Sequence, residues 1–136
     1  LFDILAHDPA ASDGEGLARL TTLEEAAAGG HKGALLALEV FAYRLAKYIA
    51  SVTVATGRLD ALVFTGGIGE NSASMRKRVM QHLGFLGVHV DDTLNQTMVG
   101  GQAGYINLVT DTVASLVIPT NEELMIAKDT YALTIK

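Results

Sequence analysis

The chain contains no cysteine and no tryptophan, and only two of its 136 residues are proline. Without cysteine, disulfide bonds and thiolate metal sites are excluded, and the composition suits a reducing compartment, so we expect a cytoplasmic protein. Cationic residues are also few, since ten Lys and Arg stand against fifteen Asp and Glu and give a formal net charge of -5. Because nucleic-acid backbones are bound largely through Lys and Arg, we expect no nucleic-acid partner.

Long apolar runs are missing as well. No stretch of about 18 apolar residues occurs, and the segment LFDILA at residues 1–6 is too short for the apolar part of a signal sequence, so we expect no membrane partner. The hydrophobic content of 49 % is enough for the core of one domain. Because no Met precedes Leu1, one interpretation is that the chain begins partway through a longer protein.

The composition changes near residue 22. Residues 7–16, HDPAASDGEG, are rich in Pro, Gly, Ser and Asp, which is typical of an exposed loop. We therefore predict a loop-rich, weakly ordered segment at residues 1–21 and a folded lobe at residues 22–136. A short helix should open the lobe, with Thr22 as N-cap, acids in its first turn and a Gly-Gly stop.

The next segment, residues 31–57, has the apolar period of a long helix that lies on a sheet. The inward residues are predicted to be Leu35, Leu38, Phe41, Leu45, Tyr48, Ile49 and Val52. The run ALVFT that follows is continuous and β-favouring, which indicates a strand buried on both faces. A second helix is predicted from about Asn71, with Met75, Val79 and Leu83 inward and Arg76, Lys77 and Arg78 outward.

Shorter elements complete the chain. Strands are predicted in LGVHVD, GYINL and ASLVIP, and a short helix is predicted in DTLNQTMVG. The segment TNEELMIAKDTYALTI should form a closing helix capped by Thr120 or Asn121. Alternating strands and helices are typical of an α/β layered fold.

The stretch FTGGIGEN joins the ALVFT strand to the helix after it. A buried strand that leads through a tight turn into a helix directs backbone N–H groups at whatever lies above the turn, and anions bind well there. Gly66, Gly67 and Gly69 allow positive φ and leave room for a ligand, although two adjacent glycines alone are equally explained as a plain turn. A P-loop is excluded because no Lys follows until Lys77.

A dinucleotide-binding (Rossmann-type) domain that binds NAD is the alternative. Gly67-x-Gly69-x-x-Ser72 approximates its glycine fingerprint, and Asp91 ends the next predicted strand near the expected spacing. Against it, the strand does not open the domain, and Glu70 would place a carboxylate beside the pyrophosphate.

Longer strings carry a more specific signal. DALVFTGGIGENSASMRKRV, followed by LGFLGVHVD and VIPTNEELMIAKDT and preceded by LALEVFAYRLAKYIAS, closely resembles the C-terminal part of the acetate kinase family, which includes propionate kinases. The resemblance covers residues 22–136 and implies a lobe of the actin-like ATPase type, with a ribonuclease H-like core and a mixed sheet flanked by helices. It also implies reversible transfer of the γ-phosphoryl group of ATP to acetate or a similar short-chain acid, giving an acyl phosphate and ADP.

In that family the glycine turn lies against the nucleotide, which implies ATP or ADP contacts at Gly67, Ile68, Gly69, Glu70 and Asn71. The acid of the family's PTNEE motif is associated with Mg²⁺ and matches Glu122, with Glu123 the weaker match. Magnesium prefers hard oxygen ligands and keeps several waters, so one carboxylate with phosphate oxygens is enough. Without the resemblance, Glu122 is more simply explained as an acid that favours the start of a helix.

Two departures from the family limit what this chain does alone. Family members carry an Asp-x-Arg loop on the adenine side, where this sequence has Arg19, Leu20 and Thr21. The Arg and His that steady the transferring phosphoryl group, and the pocket for the carboxylate, belong to the family's first domain, which would lie N-terminal to this chain. We therefore assign no catalytic residue here. The resemblance further implies a homodimer, and residues 41–52 would contribute either to the core or to that contact.

The remaining ionisable clusters have plainer explanations. His7, His31, His82 and His89 lack the spacing of metal ligands, so packing or solvated roles are expected. The basic residues 76–78 are predicted to be the solvated face of a helix.

Overall fold

The computed structural model describes residues 13–108, 110 and 113–134, without the side chains of residues 13 and 122. In chain order, the helices and strands begin with α1 (Asp13–Ala28), α2 (Lys32–Thr56), β1 (Ala61–Phe64), α3 (Gly66–Asn71), α4 (Ala73–Gln81), α5 (Asp92–Thr97) and β2 (Gly104–Tyr105). They are followed by β3 (Ala114–Val117) and α6 (Glu122–Thr134). No helix in this part of the chain combines the length and the hydropathy that a membrane crossing requires.

The three strands form one mixed sheet in the order β1, β3, β2. β1 runs parallel to β3, with Ala61 opposite Ala114 and Phe64 opposite Val117. β2 is antiparallel to β3 and pairs Gly104 with Val117. The carboxyl ends of β1 and β3 therefore lie at the same edge of the sheet.

The core lies where α1, α2 and α4 meet one face of the sheet. α2 begins at an N-cap, where His31 Nδ1 accepts a hydrogen bond from Ala34 N (3.1 Å). α2 contributes a narrow buried row of alanines and Leu38 to the core, and α4 contributes Met75, Val79 and Met80. The buried residues of α2 are Ala34, Leu38, Ala42 and Ala46.

The apolar stripe of α2 is therefore narrower than predicted. Leu38 is buried, but Leu35, Tyr48 and Val52, which we expected to face inward, are exposed. Phe41, Leu45 and Ile49, also predicted to face inward, are partly buried and pack against the core. The prediction is thus right for one side of the stripe, and the fully buried row consists of Leu38 and three alanines.

The prediction of a loop-rich segment up to residue 21 is wrong for residues 13–21, which form the first half of α1. Leu20 and Ala27 are buried and Leu23 packs against the core, so a helical apolar row outweighs the local turn-forming composition. Thr22 lies inside the helix, where its hydroxyl donates to Ala18 O (3.1 Å), and is not an N-cap. Residues 1–12 lie outside the described residues, and His7 is among them.

Two strand predictions also need correction. β1 is buried on one face only, because Leu62 and Phe64 are buried while Val63 is 46 % exposed. The segment LGVHVD forms no strand; a 3₁₀ turn at Gly84–Leu86 and a positive φ at Gly87 turn the chain before it can pair with the sheet. Its backbone reaches the neighbouring extended segment through Asp91 N and Ile106 O (2.9 Å).

Candidate functional site

The glycine turn follows β1 directly and is itself helical. Gly66 has φ +73°, a conformation that costs little for glycine alone. A Cβ on Gly69 would lie 3.3 Å from the carbonyl carbon of Phe64, so this glycine lets α3 sit against the end of the strand. We expected one helix from Asn71; instead α3 spans Gly66–Asn71, and Ser72 caps a separate helix, its Oγ accepting from Met75 N (3.0 Å).

The segment after β3 returns to this turn. Ile118 N donates to Phe64 O (3.0 Å), which extends the pairing of the two parallel strands beyond the sheet. The chain then reaches Asn121, whose Oδ1 accepts from Leu124 N (2.9 Å) and caps α6. Of the two caps predicted for α6, Asn121 is thus the one that forms. Both helices begin at the carboxyl edge of parallel strands, which is where α/β sheets bind ligands.

Glu70 joins the two segments. Its Oε1 accepts hydrogen bonds from Gly66 N (2.9 Å), Thr120 N (2.8 Å) and Thr120 Oγ1 (2.9 Å). The Thr120 backbone N–H is the main cause of a lowered pKa of Glu70, and desolvation opposes the shift. The carboxylate therefore stays ionised and serves as an internal anion for its own turn. A ligand contact from Glu70 is left to Oε2 or to its backbone.

Asn71 also bonds to the protein. Its Nδ2 donates to Gly67 O (3.0 Å), and its Oδ1 accepts from Gly100 N (3.1 Å). The second bond ties the end of α3 to the glycine turn that follows α5. Both polar side chains predicted to meet the nucleotide thus take part in fixing the shape of α3.

Unlike the side chains of Glu70 and Asn71, the backbone amides of Gly67 and Ile68 do not bond to the described part of the protein. The first amides of a helix lack intrahelical acceptors, and the described residues supply none for these two. The Ile68 side chain is half-buried against α1, where a Cβ on Gly16 would lie 4.0 Å from its Cδ1. A cavity of about 350 Å³, within the usual size range of small-molecule sites, lies between α2, β1 and α4. Thr65, Ile68 and Gly69 line one part of it, and side chains of α2, β1 and α4 line the rest.

Residues 19–21, where the family's adenine-side loop was expected, lie in α1. Leu20 is buried in the core, while Arg19 and Thr21 are exposed, and Thr21 Oγ1 donates to Leu17 O (3.0 Å). The segment is therefore regular helix in this chain.

Arg76, predicted to face solvent, is 1 % exposed. Its guanidinium donates to Asn95 Oδ1 and O, to Met98 O and to the carbonyls of Gly69 and Glu70, at 2.8–3.0 Å. Burial lowers the pKa of Arg76 from its ordinary value, but an arginine remains protonated at neutral pH. Sequence reasoning missed it, although Arg76 shares a four-residue row with the buried Ser72 and Met80.

Its neighbours reach the surface only in part, since Lys77 and Arg78 are half-buried and Arg78 Nε is buried without a hydrogen-bond partner. Lys77 Nζ pairs with Asp92 (2.6 Å) and Arg78 with Glu39 (3.3 Å) at the surface. His82 Nε2 also contacts Glu39 (2.8 Å) and stands edge-on to the Tyr43 ring, a packing role.

The proposed magnesium ligand, Glu122, is the first residue of α6, and its side chain lies outside the described residues. Within the described part of the chain, three His, Cys, Asp or Glu side chains do not come together anywhere in a way that could hold a metal ion. Magnesium that is bound through phosphate oxygens does not need such a cluster.

The Rossmann alternative has no support in this geometry. Asp91 does not end a strand beside β1; its Oδ1 accepts from Leu94 N (2.9 Å) and caps α5. A dinucleotide site would need that carboxylate at the end of the neighbouring parallel strand.

Known proteins similar to this chain agree on one family. An acetate kinase from Chromobacterium violaceum is 62 % identical over 111 residues, which are 82 % of this chain and 28 % of that protein. Among solved structures, Porphyromonas gingivalis acetate kinase matches 83 % of this chain and 28 % of its own, with TM-score 0.75 and 38 % identity. A propionate kinase from Francisella tularensis matches 80 % of this chain and 27 % of its own, with TM-score 0.71 and 42 % identity.

These likenesses confirm the predicted α/β lobe of the actin-like ATPase type with a small mixed sheet. The chain spans less than a third of the length of the relatives that it matches. Residues 14–128 match the model of the acetokinase family, and the chain is therefore a member of that family.

Proposed function

We propose that this chain is the nucleotide-binding part of a carboxylate kinase, which transfers the γ-phosphoryl group of ATP reversibly to acetate or a similar short-chain acid. The products would be an acyl phosphate and ADP. The observation that carries the proposal is the junction of Glu70 with Thr120. It joins the GGIGEN and PTNEE segments, the two separated motifs of the family, at one edge of the sheet.

The nucleotide is proposed to lie against Gly67, Ile68, Gly69, Glu70 and Asn71. Two features support this assignment: the amides of Gly67 and Ile68 have no acceptor among the described residues, and Ile68 and Gly69 line a largely apolar cavity. Because Glu70 already accepts from Gly66 N, the phosphate or ribose oxygens of ATP or ADP would take the next two amides.

Mg²⁺ is proposed to bind through Glu122. The proposal is supported by the start of α6, which lies after the Asn121 cap at the edge of the sheet that carries the glycine turn. Because Mg²⁺ bound to a nucleotide takes most of its ligands from phosphate and water, one carboxylate from this position would be enough. When bound, the ion would neutralise phosphate charge during transfer.

The acceptor acid would bind outside this chain. Phosphoryl transfer depends on cations that stabilise the moving group, and we assign none of the described residues to that role. The Arg, the His and the carboxylate pocket are proposed to belong to the remaining two thirds of the length seen in the relatives.

A homodimer in the cytoplasm is also proposed. Leu36, Val40 and Tyr43 form an exposed row on α2 at helical spacing, which suits self-association. The absence of cysteine supports a reducing location.

A chimera tests the activity directly. Residues 14–128 would replace the matching segment of the Chromobacterium violaceum acetate kinase, and acyl phosphate would be trapped as the hydroxamate. A second chimera that begins at residue 22 keeps the relative's own adenine-side loop. We expect activity in the second chimera and weaker ATP use in the first, because Thr21 replaces the arginine. A folded second chimera without activity would refute the proposal.

A further inference from the structure

Arg76 is a buried cation with no acidic partner among the described residues. Its hydrogen-bond acceptors are one amide oxygen, Asn95 Oδ1 (2.8 Å), and four backbone carbonyls. Burying a charge is costly unless the geometry satisfies it fully, and an apolar residue at such a position often stabilises a protein at least as well. Core packing alone therefore does not explain an arginine at this position.

The acceptors belong to two short helices. Gly69 and Glu70 supply carbonyls from the end of α3, while Asn95 and Met98 supply carbonyls from the end of α5. The last carbonyls of a helix lack intrahelical donors and carry partial negative charge, which a cation complements. One guanidinium thus caps the carboxyl ends of two helices at once.

This double cap holds the end of α3 at a fixed distance from the end of α5. Each of the two helices has only six residues, too few for much stability of its own. The planar fork of the guanidinium bonds both in fixed directions, which a lysine ammonium does not reproduce. The Asn71 bond to Gly100 N crosses the same gap on the solvent side.

We propose that Arg76 is a positioning residue: by holding the end of α3 against α5, it orients the free amides of Gly67 and Ile68 toward the nucleotide. The inference rests on the proposed nucleotide-binding function. Arg76 also lines the cavity beside α3, but it is 1 % exposed and its five N–H donors all bond to protein acceptors, so its proposed role is to hold α3 in place.

The test uses the 136-residue chain and ADP with Mg²⁺ as the probe. ADP affinity is measured by calorimetry and the melting temperature by scanning calorimetry for wild type, Arg76→Lys and Arg76→Met. Lys77→Met is the matched control, because Lys77 links α4 to α5 from the solvent side through Asp92 and does not reach α3.

We expect Arg76→Lys to recover most of the melting temperature lost in Arg76→Met, because the buried ammonium still donates to some carbonyls. Its ADP affinity should nevertheless fall about tenfold or more, since the two bonds to α3 depend on the fork geometry. Amide exchange at residues 70 and 71 should become faster. Lys77→Met should bind ADP within about twofold of wild type. In the active chimera, Arg76→Lys should raise KM for ATP and leave KM for acetate unchanged.

The possible outcomes distinguish failure of the proposed nucleotide-binding function from failure of the positioning role alone. If wild type does not bind ADP, the proposed function fails and the role of Arg76 fails with it. If wild type binds and folded Arg76→Lys binds equally well, only the positioning role is wrong. Should both Arg76 variants fail to fold, Asn95→Ala removes one of the five bonds, and unchanged ADP affinity in that folded variant overturns the positioning role.

Discussion

The helices that follow β1 and β3 start at the same edge of the sheet, yet they are stabilised in opposite ways. α3 has six residues, and bonds to Thr120, Gly100 and Arg76 fix it from three sides. α6 has thirteen residues, an Asn121 cap and side chains that are exposed throughout its described part. The difference indicates that distant polar contacts set the shape of the glycine turn, whereas α6 depends on its own hydrogen bonds and cap.

The largest difference in stability is expected between replacing a buried leucine of the core beside α3 and replacing an exposed leucine of α6. Leu20→Ala should lower the free energy of unfolding by about 3 kcal/mol, because Leu20 is 1 % exposed in the core against which Ile68 of α3 packs. Leu133→Ala in α6, where the side chain is 78 % exposed, should change it by less than about 0.5 kcal/mol. Urea unfolding followed by circular dichroism measures both, and similar losses would contradict the comparison.

The junction at Glu70 should have the next largest effect. Glu70→Ala removes the acceptor of three hydrogen bonds and should cost about 2 kcal/mol of stability. Glu70→Gln keeps an oxygen at the same place and should cost roughly half as much. If the Ala and Gln variants are equally stable in urea, the three bonds do not stabilise the turn.

A smaller loss is expected at Gly66. Gly66→Ala places a Cβ on a residue with φ +73° and should cost about 1 kcal/mol. Gly84→Ala is the control, since a Cβ there meets open space and its φ is not positive, so the change in stability should be near zero. Thermal unfolding of the two variants distinguishes backbone strain from a general effect of adding a methyl group.

The cap of α6 should matter only locally. Asn121→Ala removes the Oδ1 acceptor of Leu124 N and should weaken the first turn of α6 by about 0.5–1 kcal/mol. Faster amide exchange near residue 124, without a change near residue 70, is the expected result. Faster exchange in both helices would mean that α6 also supports α3.

Acid should loosen the α3 junction. The folded pKa of Glu70 is lowered, chiefly by the Thr120 N–H, so its contribution is present above the unfolded pKa and is lost as pH falls through the folded pKa. Amide exchange at Gly66 should therefore rise in wild type as the solution becomes more acidic. In Glu70→Gln the same step should be absent, and its persistence would assign it to another carboxylate.

Local patterns predicted much of this lobe. Asn121 caps α6 as predicted, and the spacing of Met75, Val79 and Leu83 identified one buried face of α4 and its continuation. The β-favouring run at residues 61–64 and the motif order were enough to predict the mixed sheet and the family.

Tertiary contacts account for what the sequence did not reveal. The helical row that Arg76 shares with Ser72 and Met80 is compatible with its burial, but the carbonyls that accept its hydrogen bonds come from the end of α5, about twenty residues away, and that row does not indicate them. The exposure of Val63 depends on whether another element covers the second face of β1, and the apolar run ALVFT does not indicate whether one does. In the site, Glu70 meets Thr120 across fifty residues of chain, so its part in shaping the turn could not be read from GGIGEN alone.

The carboxylate of Glu70 satisfies the first free donor of α3 while the protein folds. At the nucleotide site that we propose, the ligand would therefore meet a turn whose shape is already set and whose first amide already bonds to an internal carboxylate. Such a site would lose little chain entropy on binding, and it would favour ligands that fit the two remaining amides over small anions attracted by charge alone.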